Sequence, residues 1–370
     1  MCQVIKGISW YKAMFLIINA ALGAGLLNFP RAFHESGGIV SGNLVHAVFT
    51  SLSLGSLVII TRCASERNCK TYQELVLHMC SPGWNVIASV CVSVYCFVTC
   101  ITFIIIIGDQ FDRAFASFVG SDFCHTWYLN RKFTMTVSSL LLIFPSFFIH
   151  LGFIVYIKFL MRGFCKINSF LFFSQYQIFD VVPTICFGYQ CHVSSIPIYS
   201  YPLLINCIVF FFQACVSAII VCFVVYTASA NYGYLTFGSL VKGDVLLSYD
   251  ARKPQVLTAI ILLAIKSWTT YPILLFCVRE AVGDLYIQLK SLSPAEATTS
   301  EPSRRKMIAM LLWGASMVMA AFTPNINIVV KLLGSLAAIF IFVFPGKYFI
   351  IITLTVLLLF IWLLILFSLH

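Results

Sequence analysis

Apolar residues in this chain come in long runs, and the polar residues between them come in short clusters. Crossing ~30 Å of hydrocarbon takes a helix of about 20 apolar residues. Clear candidates run from Ser9 to about Gly37, Ile39 to Thr61, Trp84 to Ile107, Pro202 to Thr227, Gln255 to Val278 and Tyr348 to Leu369. Shorter or interrupted ones run from Phe133 to Leu160, Phe170 to Cys191, Met307 to Phe322 and Ile328 to Pro345. The Phe133 segment is long enough to hold two short helices. The pattern predicts an all-α integral membrane protein, with residues 1–370 forming a single transmembrane domain.

The polar clusters orient these helices, because Lys and Arg favour cytoplasmic loops. Lys6 and Lys12 precede the first segment, and Arg62, Arg67 and Lys70 follow the second. Arg279, Lys290, Arg304, Arg305 and Lys306 lie in the one long polar stretch, residues 279–306. That stretch contains "SLSPAEATTSEPSRR" and reads as a flexible cytoplasmic linker. All three groups fall on one face if the N-terminus is cytoplasmic and Phe133 to Leu160 crosses twice. This arithmetic favours eleven crossings; a single crossing there would put the Arg304 cluster outside. The start, "MFLIINAALGA", also has the look of a signal peptide, but no polar ectodomain follows it.

Two of the runs are broken from within. The first contains Ala21–Leu22–Gly23–Ala24–Gly25, then Asn28 and Pro30; the second contains Pro183 and "TICFGYQCH", ending in Gln190 and His192. A helical glycine costs ~1 kcal/mol against alanine, and proline removes a further backbone bond. At membrane depth such backbone is tolerated where it packs on protein or lines a wet cavity. Paired breaks at corresponding positions of two repeats point to a transporter site. Freed N–H groups there can hold a carboxylate, and freed carbonyls a cation. The competing explanation is close packing through small residues.

Composition sharpens the class. The chain is 61% hydrophobic and 10% charged, with a mean hydropathy of +0.97. A soluble domain carries roughly 25% charged residues, so lipid must solvate much of this surface. The net charge of +10 sits in loops beside apolar runs and argues for membrane orientation, not for nucleic acid. Most of the 15 cysteines lie inside apolar runs, as Cys91, Cys96, Cys100, Cys207, Cys215 and Cys222 do. There they act as small hydrophobes; Cys124, in a polar loop, is the exception. No zinc spacing is present, and HExxH, GxSxG and intramembrane carboxylate pairs are absent. His192 has no Ser/Asp constellation beside it in sequence, so an enzyme is not expected.

Isolated polar residues inside the runs are the candidate ligands. Asn19 precedes the first break by one turn, and Thr269 and Thr270 lie deep in the Gln255 run, before Tyr271 and Pro272. Their oxygens suit Na⁺, although threonines also bond back to their own helix. Lys266 is the oddest residue: it lies deep in an apolar helix, where insertion costs ~2.5–3.5 kcal/mol. It shares a helical face with both threonines. Its ammonium is expected to lie near a cation site and compete with Na⁺ or replace it; the alternative is an aqueous vestibule. Arg31, next to the first break, has His34 and Glu35 nearby in sequence to neutralise it.

The segments "LIINAALGAGLLNFPRAF", "IIIIGDQ", "VVPTICFGYQCHVSSIP", "YGYLTFGSLVKGDVLLSY", "TTYPILLFC" and "AAIFIFVFPG" resemble the sodium-coupled neutral amino acid transporters, an amino acid/auxin permease-like group. The resemblance spans roughly residues 13–370. It implies a LeuT-like inverted repeat of five plus five helices, about 9–165 and 168–345, with an eleventh helix at 348–369. It further implies alternating access for glutamine, asparagine and related neutral amino acids, in a lysosomal or plasma membrane, by a monomer. Gly23, Ala24, Gly25, Phe187, Gly188, Tyr189 and Gln190 match the unwound stretches that face substrate. Asn19, Thr269 and Thr270 match the residues tied to sodium.

The chain departs from the family pattern in three places. The long N-terminal tail is nearly absent. The region around helices 4 and 5 is shortened, with "FPSFFIHLGFIVYIKF" replacing the usual link. Lys266 stands where relatives carry a small or polar residue. One Na⁺ crossing 100 mV supplies ~2.3 kcal/mol, enough for roughly 50-fold accumulation. A proton-coupled or uncoupled facilitator on the same scaffold is the second expectation, and a non-transporting amino acid sensor the third.

Overall fold

A computed structural model describes residues 10–119, 135, 178–200, 208–290, 294–323 and 326–348. The first run forms α1 (Trp10–Ala21), a 3₁₀ turn (Ala24–Asn28) and α2 (Phe29–Glu35). Then come α3 (Ile39–Arg67), the short α4 (Tyr72–Met79) and α5 (Pro82–Val119). The second broken run is α6 (Ile178–Gly188) and α7 (His192–Ser200). Next are α8 (Ile208–Phe237), α9 (Pro254–Lys290), α10 (Pro294–Phe322) and α11 (Ile326–Ala338), which continues through a π turn at Ile339–Val343. Among the described residues six helices are long and apolar enough to span a membrane. The bent pair α1 and α2 makes seven if counted as one span. The Phe133–Leu160 segment (Met135 apart) and the 349–370 end lie outside the described residues.

The helices are turned inside out relative to those of a soluble protein. On α3 the apolar Val40, Leu44, Val48 and Leu52 are exposed, whereas His46, Thr50, Ser53 and Ser56 are buried. That four-residue spacing puts the apolar stripe on one face. Lipid solvates such a stripe, and the buried polar residues must then find partners inside. Thr50 and Ser56 do so partly on their own helix, at the His46 and Ser53 carbonyls.

Side-chain contacts fix the direction of each span. Trp84, near the start of α5, lies under the Lys347 ammonium, 3.7 Å from its ring centroid. Toward the other end of α5, Gln110 donates to Asp244 and Arg113 to the Tyr249 carbonyl, in the α8–α9 connection. The end of α2 reaches that same side, because Arg31 donates to the Val241 carbonyl. Tyr189, His192 and Tyr199 meet His46, Ser56 and Ser65 in turn, so α6 and α7 run parallel to α3. Therefore α6 begins on the side where α5 ends, the parity that the two-crossing expectation for the intervening stretch requires.

Two expectations are corrected. Residues 279–306 are not a linker: α9 and α10 run through them, and only 291–293 lie outside the described residues. Pro294 opens α10, where the missing N–H costs nothing. Glu301 lies 3.9 Å from Arg305, and Arg304 donates to Ser300, each one turn apart; polar residues at this spacing support a solvated helix. The second correction concerns Pro183, which does not break its helix. α6 runs through it to Gly188, and Gly334 of α11 lies directly against the Pro183 backbone.

Candidate functional site

The two breaks meet. α1 stops at Ala21, Leu22 and Gly23 leave the helix, and α2 resumes with Pro30 in its first turn, bent by 53°. α6 stops at Gly188, and Tyr189 to Cys191 connect it to α7. A Cβ on Gly25 would lie 2.9 Å from the Gly188 Cα and 3.3 Å from Phe187. A Cβ on Gly188 would lie 2.7 Å from the Phe29 ring. Only glycine permits backbone to approach backbone this closely. Gly23 is different, since its added Cβ would meet nothing nearer than the Ala21 carbonyl at 3.9 Å. One break position is thus packed and its neighbour two residues away is open.

Tyr226 of α8 ties both breaks to one point. Its hydroxyl lies 2.8 Å from the Ala21 carbonyl and 2.8 Å from the Gly188 carbonyl, and its single proton is shared between them. Its ring stacks on Phe29, with centroids 4.3 Å apart. Both accepting carbonyls end helices, where intrahelical partners run out. No sequence signal distinguishes Tyr226 from the other aromatic residues of its run.

Of the expected substrate-facing residues, Gly25, Phe187 and Gly188 are in contact, and Gly23 adjoins them. The Ala24 side chain lies outside the described ones. Tyr189 turns toward α3 and α8, with its hydroxyl 2.7 Å from His46 Nε2. Gln190 is buried, and neither its amide oxygen nor its amide nitrogen has a hydrogen-bond partner. Asn28 is buried with its amide nitrogen likewise unpartnered. Buried amides normally find partners, so these two mark polar space at the meeting point.

The expected cation residues are spread more widely. Asn19 lies on the exposed stripe of α1 with Phe15 and Leu16. The Thr269 side chain lies outside the described ones. Thr270 donates to the Lys266 carbonyl at 2.9 Å, the backbone bond common for threonine in helices. The Lys266 ammonium crosses to the first break and donates to the Leu22 carbonyl. Arg31 pairs with Glu35 at 2.9 Å, as its sequence neighbours suggest.

Two buried histidines flank the site. His46, which the sequence reading passed over, sits between Tyr189 and Thr227 with Phe29, Phe33 and Phe223 around it. A lone polar residue inside an apolar run was the available signal. His192 is fully buried, with Nε2 at 2.7 Å from Ser56 Oγ and 3.1 Å from the Ser53 carbonyl. The fold thus supplies a serine that the sequence spacing hid. With no carboxylate on Nδ1, the pair serves to dock α7 on α3.

The α8–α9 connection covers the site from the side where α2 ends. Val245 and Leu246 are fully buried, and Val245 and Pro30 both close on Gly233. Asp244 caps the turn at Val245–Ser248 and accepts from Leu246 N–H and Gln110. Burial pushes its carboxyl up to about 6, against the pull of the Leu246 N–H, Arg113 and Gln110. The cysteines behave as packing groups: Cys96, Cys100, Cys191, Cys215 and Cys222 are buried and free, while Cys124 and Cys207 lie outside the described residues.

The profile of the "Transmembrane amino acid transporter protein" family matches residues 6–162 and 136–367. The sodium-coupled neutral amino acid transporter 7 of Danio rerio is 37% identical over 92% of this chain and 78% of its own length. The protein of the same name from Homo sapiens is 35% identical over 90% and 77%. A putative sodium-coupled neutral amino acid transporter 8 of Xenopus tropicalis is 30% identical over 90% and 82%. Among solved structures, MhsT in complex with L-phenylalanine superposes with a TM-score of 0.57 at 14% identity, covering 92% of this chain and 97% of MhsT. At that identity the likeness speaks for the fold alone, and the fold is the LeuT-like one expected.

Proposed function

Because the chain belongs to the transmembrane amino acid transporter family, we propose that it carries glutamine and asparagine across its membrane by alternating access. The observation that carries this reading is the contact of the two breaks at Gly25 and Gly188. Backbone freed on both sides of that contact offers N–H donors for a carboxylate and carbonyls for a positive charge. In this reading Gly23, Ala24 and Gly25 face the substrate from one break, and Phe187, Gly188 and Gln190 from the other. The Gln190 amide, buried without a partner, is the group suited to the polar side chain of a neutral amino acid. Tyr189 supports from behind, through His46.

The proposal extends to the repeat, about 9–165 and 168–345 with a further helix at 348–369, to a monomer, and to a lysosomal or plasma membrane. Sodium belongs to the names of the relatives. In this chain Asn19, Thr269 and Thr270 carry the oxygens proposed to face a cation beside the first break, where the freed carbonyl of Leu22 already receives Lys266. The test is radiolabelled glutamine uptake into proteoliposomes, with asparagine and lysine as competitors. Asparagine is expected to compete and lysine is not. No uptake or exchange of any neutral amino acid would overturn the reading.

A further inference from the structure

We infer that Lys266 is this chain's own cation: its ammonium holds the position beside the first break that a transported Na⁺ would need, so amino acid crosses without Na⁺. The inference rests on the transport reading above, and its argument starts from where a lysine inside an apolar helix can go. Near a helix end it would snorkel to the membrane surface. Lys266 lies too deep in α9 for that, and its ammonium instead meets the Leu22 carbonyl.

Leu22 lies in the bend between α1 and the 3₁₀ turn, outside regular helix. Its carbonyl is therefore the kind of freed oxygen that a hard cation takes in a broken helix. The same turn of α9 brings the Lys266 carbonyl and the Thr270 hydroxyl together at 2.9 Å, so α9 presents both its own oxygens and its own positive charge at this crossing. The titratable group facing the ammonium from α8 is the Cys222 thiol. An ammonium has three donors and a full charge on a flexible stem. A sodium ion brought to the same carbonyl would have to displace it against like-charge repulsion.

A tethered charge does the electrostatic work of a bound ion but never leaves with the substrate. Its consequence is measurable: a membrane potential of about 100 mV, which alone would drive roughly 50-fold accumulation in a one-Na⁺ symporter, should drive none here. Substrate would instead equilibrate or exchange.

Purified protein in proteoliposomes separates the possibilities. For the wild type, glutamine uptake is expected to be unchanged when Na⁺ is replaced by choline, with no accumulation above equilibrium under a Na⁺ gradient. Lys266→Ser opens the position: its uptake should fall about tenfold in choline and recover in Na⁺, while Lys266→Arg stays Na⁺-independent. A wild type that loses about tenfold in choline overturns the inference, and so does a Lys266→Ser protein as active in choline as the wild type. A second readout needs no transport. Na⁺ should raise the melting temperature of Lys266→Ser in detergent and leave that of the wild type unmoved; the reverse pattern overturns the inference. Failure of the transport reading alone would show as no uptake under any cation with this Na⁺ response intact.

Discussion

Gly23 and Gly25 are two residues apart in one break and have opposite surroundings. Gly25 is pressed against Gly188 backbone, which cannot move aside, whereas Gly23 borders open space. Gly25→Ala is expected to destabilise the protein by about 1–3 kcal/mol, seen as a lower melting temperature in detergent. Gly23→Ala should leave that temperature nearly unchanged and lower glutamine uptake by crowding the substrate; normal uptake would remove Gly23 from the site. Tyr226→Phe removes the hydroxyl donor from the Ala21 and Gly188 carbonyls and leaves Ala21 only its bond from the Gly23 N–H. Its expected cost is about 1–3 kcal/mol, again read from melting. Gln190→Ala should not destabilise, since its amide has no partner to lose, but should raise the KM for glutamine about tenfold. A lowered melting temperature with unchanged KM would make Gln190 structural.

At the scale of elements, the α8–α9 connection is held to α5 and α2 by Asp244, Arg113 and Arg31. Asp244 is raised by burial from its ordinary 3.8 to about 6. The folded state therefore binds that proton more tightly than the unfolded chain does. Its stabilisation is complete below about pH 4 and is lost as the pH rises through about 6. Melting curves between those limits should show the wild type gaining stability on acidification, on the order of a few kcal/mol from this group. Asp244→Asn should flatten that gain, and an identical slope in the variant would show that the proton binds elsewhere. The broken helices belong to this scale too. Glycines and prolines made both interruptions legible, the second as a run broken by Pro183 and Gly188. Only the glycine marks the break, since the helix carries the proline and yields after Gly188. A proline inside a helix costs the hydrogen bond to the carbonyl four residues back, and whether the helix yields is decided by the packing around it; α11 packs against the Pro183 backbone through Gly334.

Across the whole molecule, the described spans agree on a direction for each helix, and the positive charges give that direction a sign. Epitopes inserted at Lys242 and at residues 291–293 should therefore lie on opposite sides of the membrane, the second one cytoplasmic. Antibody access in intact against permeabilised cells checks this, and access to both from one side would overturn the orientation. The all-helical membrane class was readable from sequence because lipid imposes one rule everywhere. Every span must be long, apolar on its outer face and satisfied in its backbone. That rule acts residue by residue, so a linear pattern records it. Paired breaks, a stranded Lys266 and the oxygens near it were visible for the same reason: each violates the rule. Which partner relieves each violation was not visible. Leu22 receiving Lys266, Tyr226 bridging both breaks, and His46 behind Tyr189 join residues 244, 205 or 38, and 143 positions apart. Such pairs are chosen by packing between helices that local composition does not encode, so only the tertiary structure decided them.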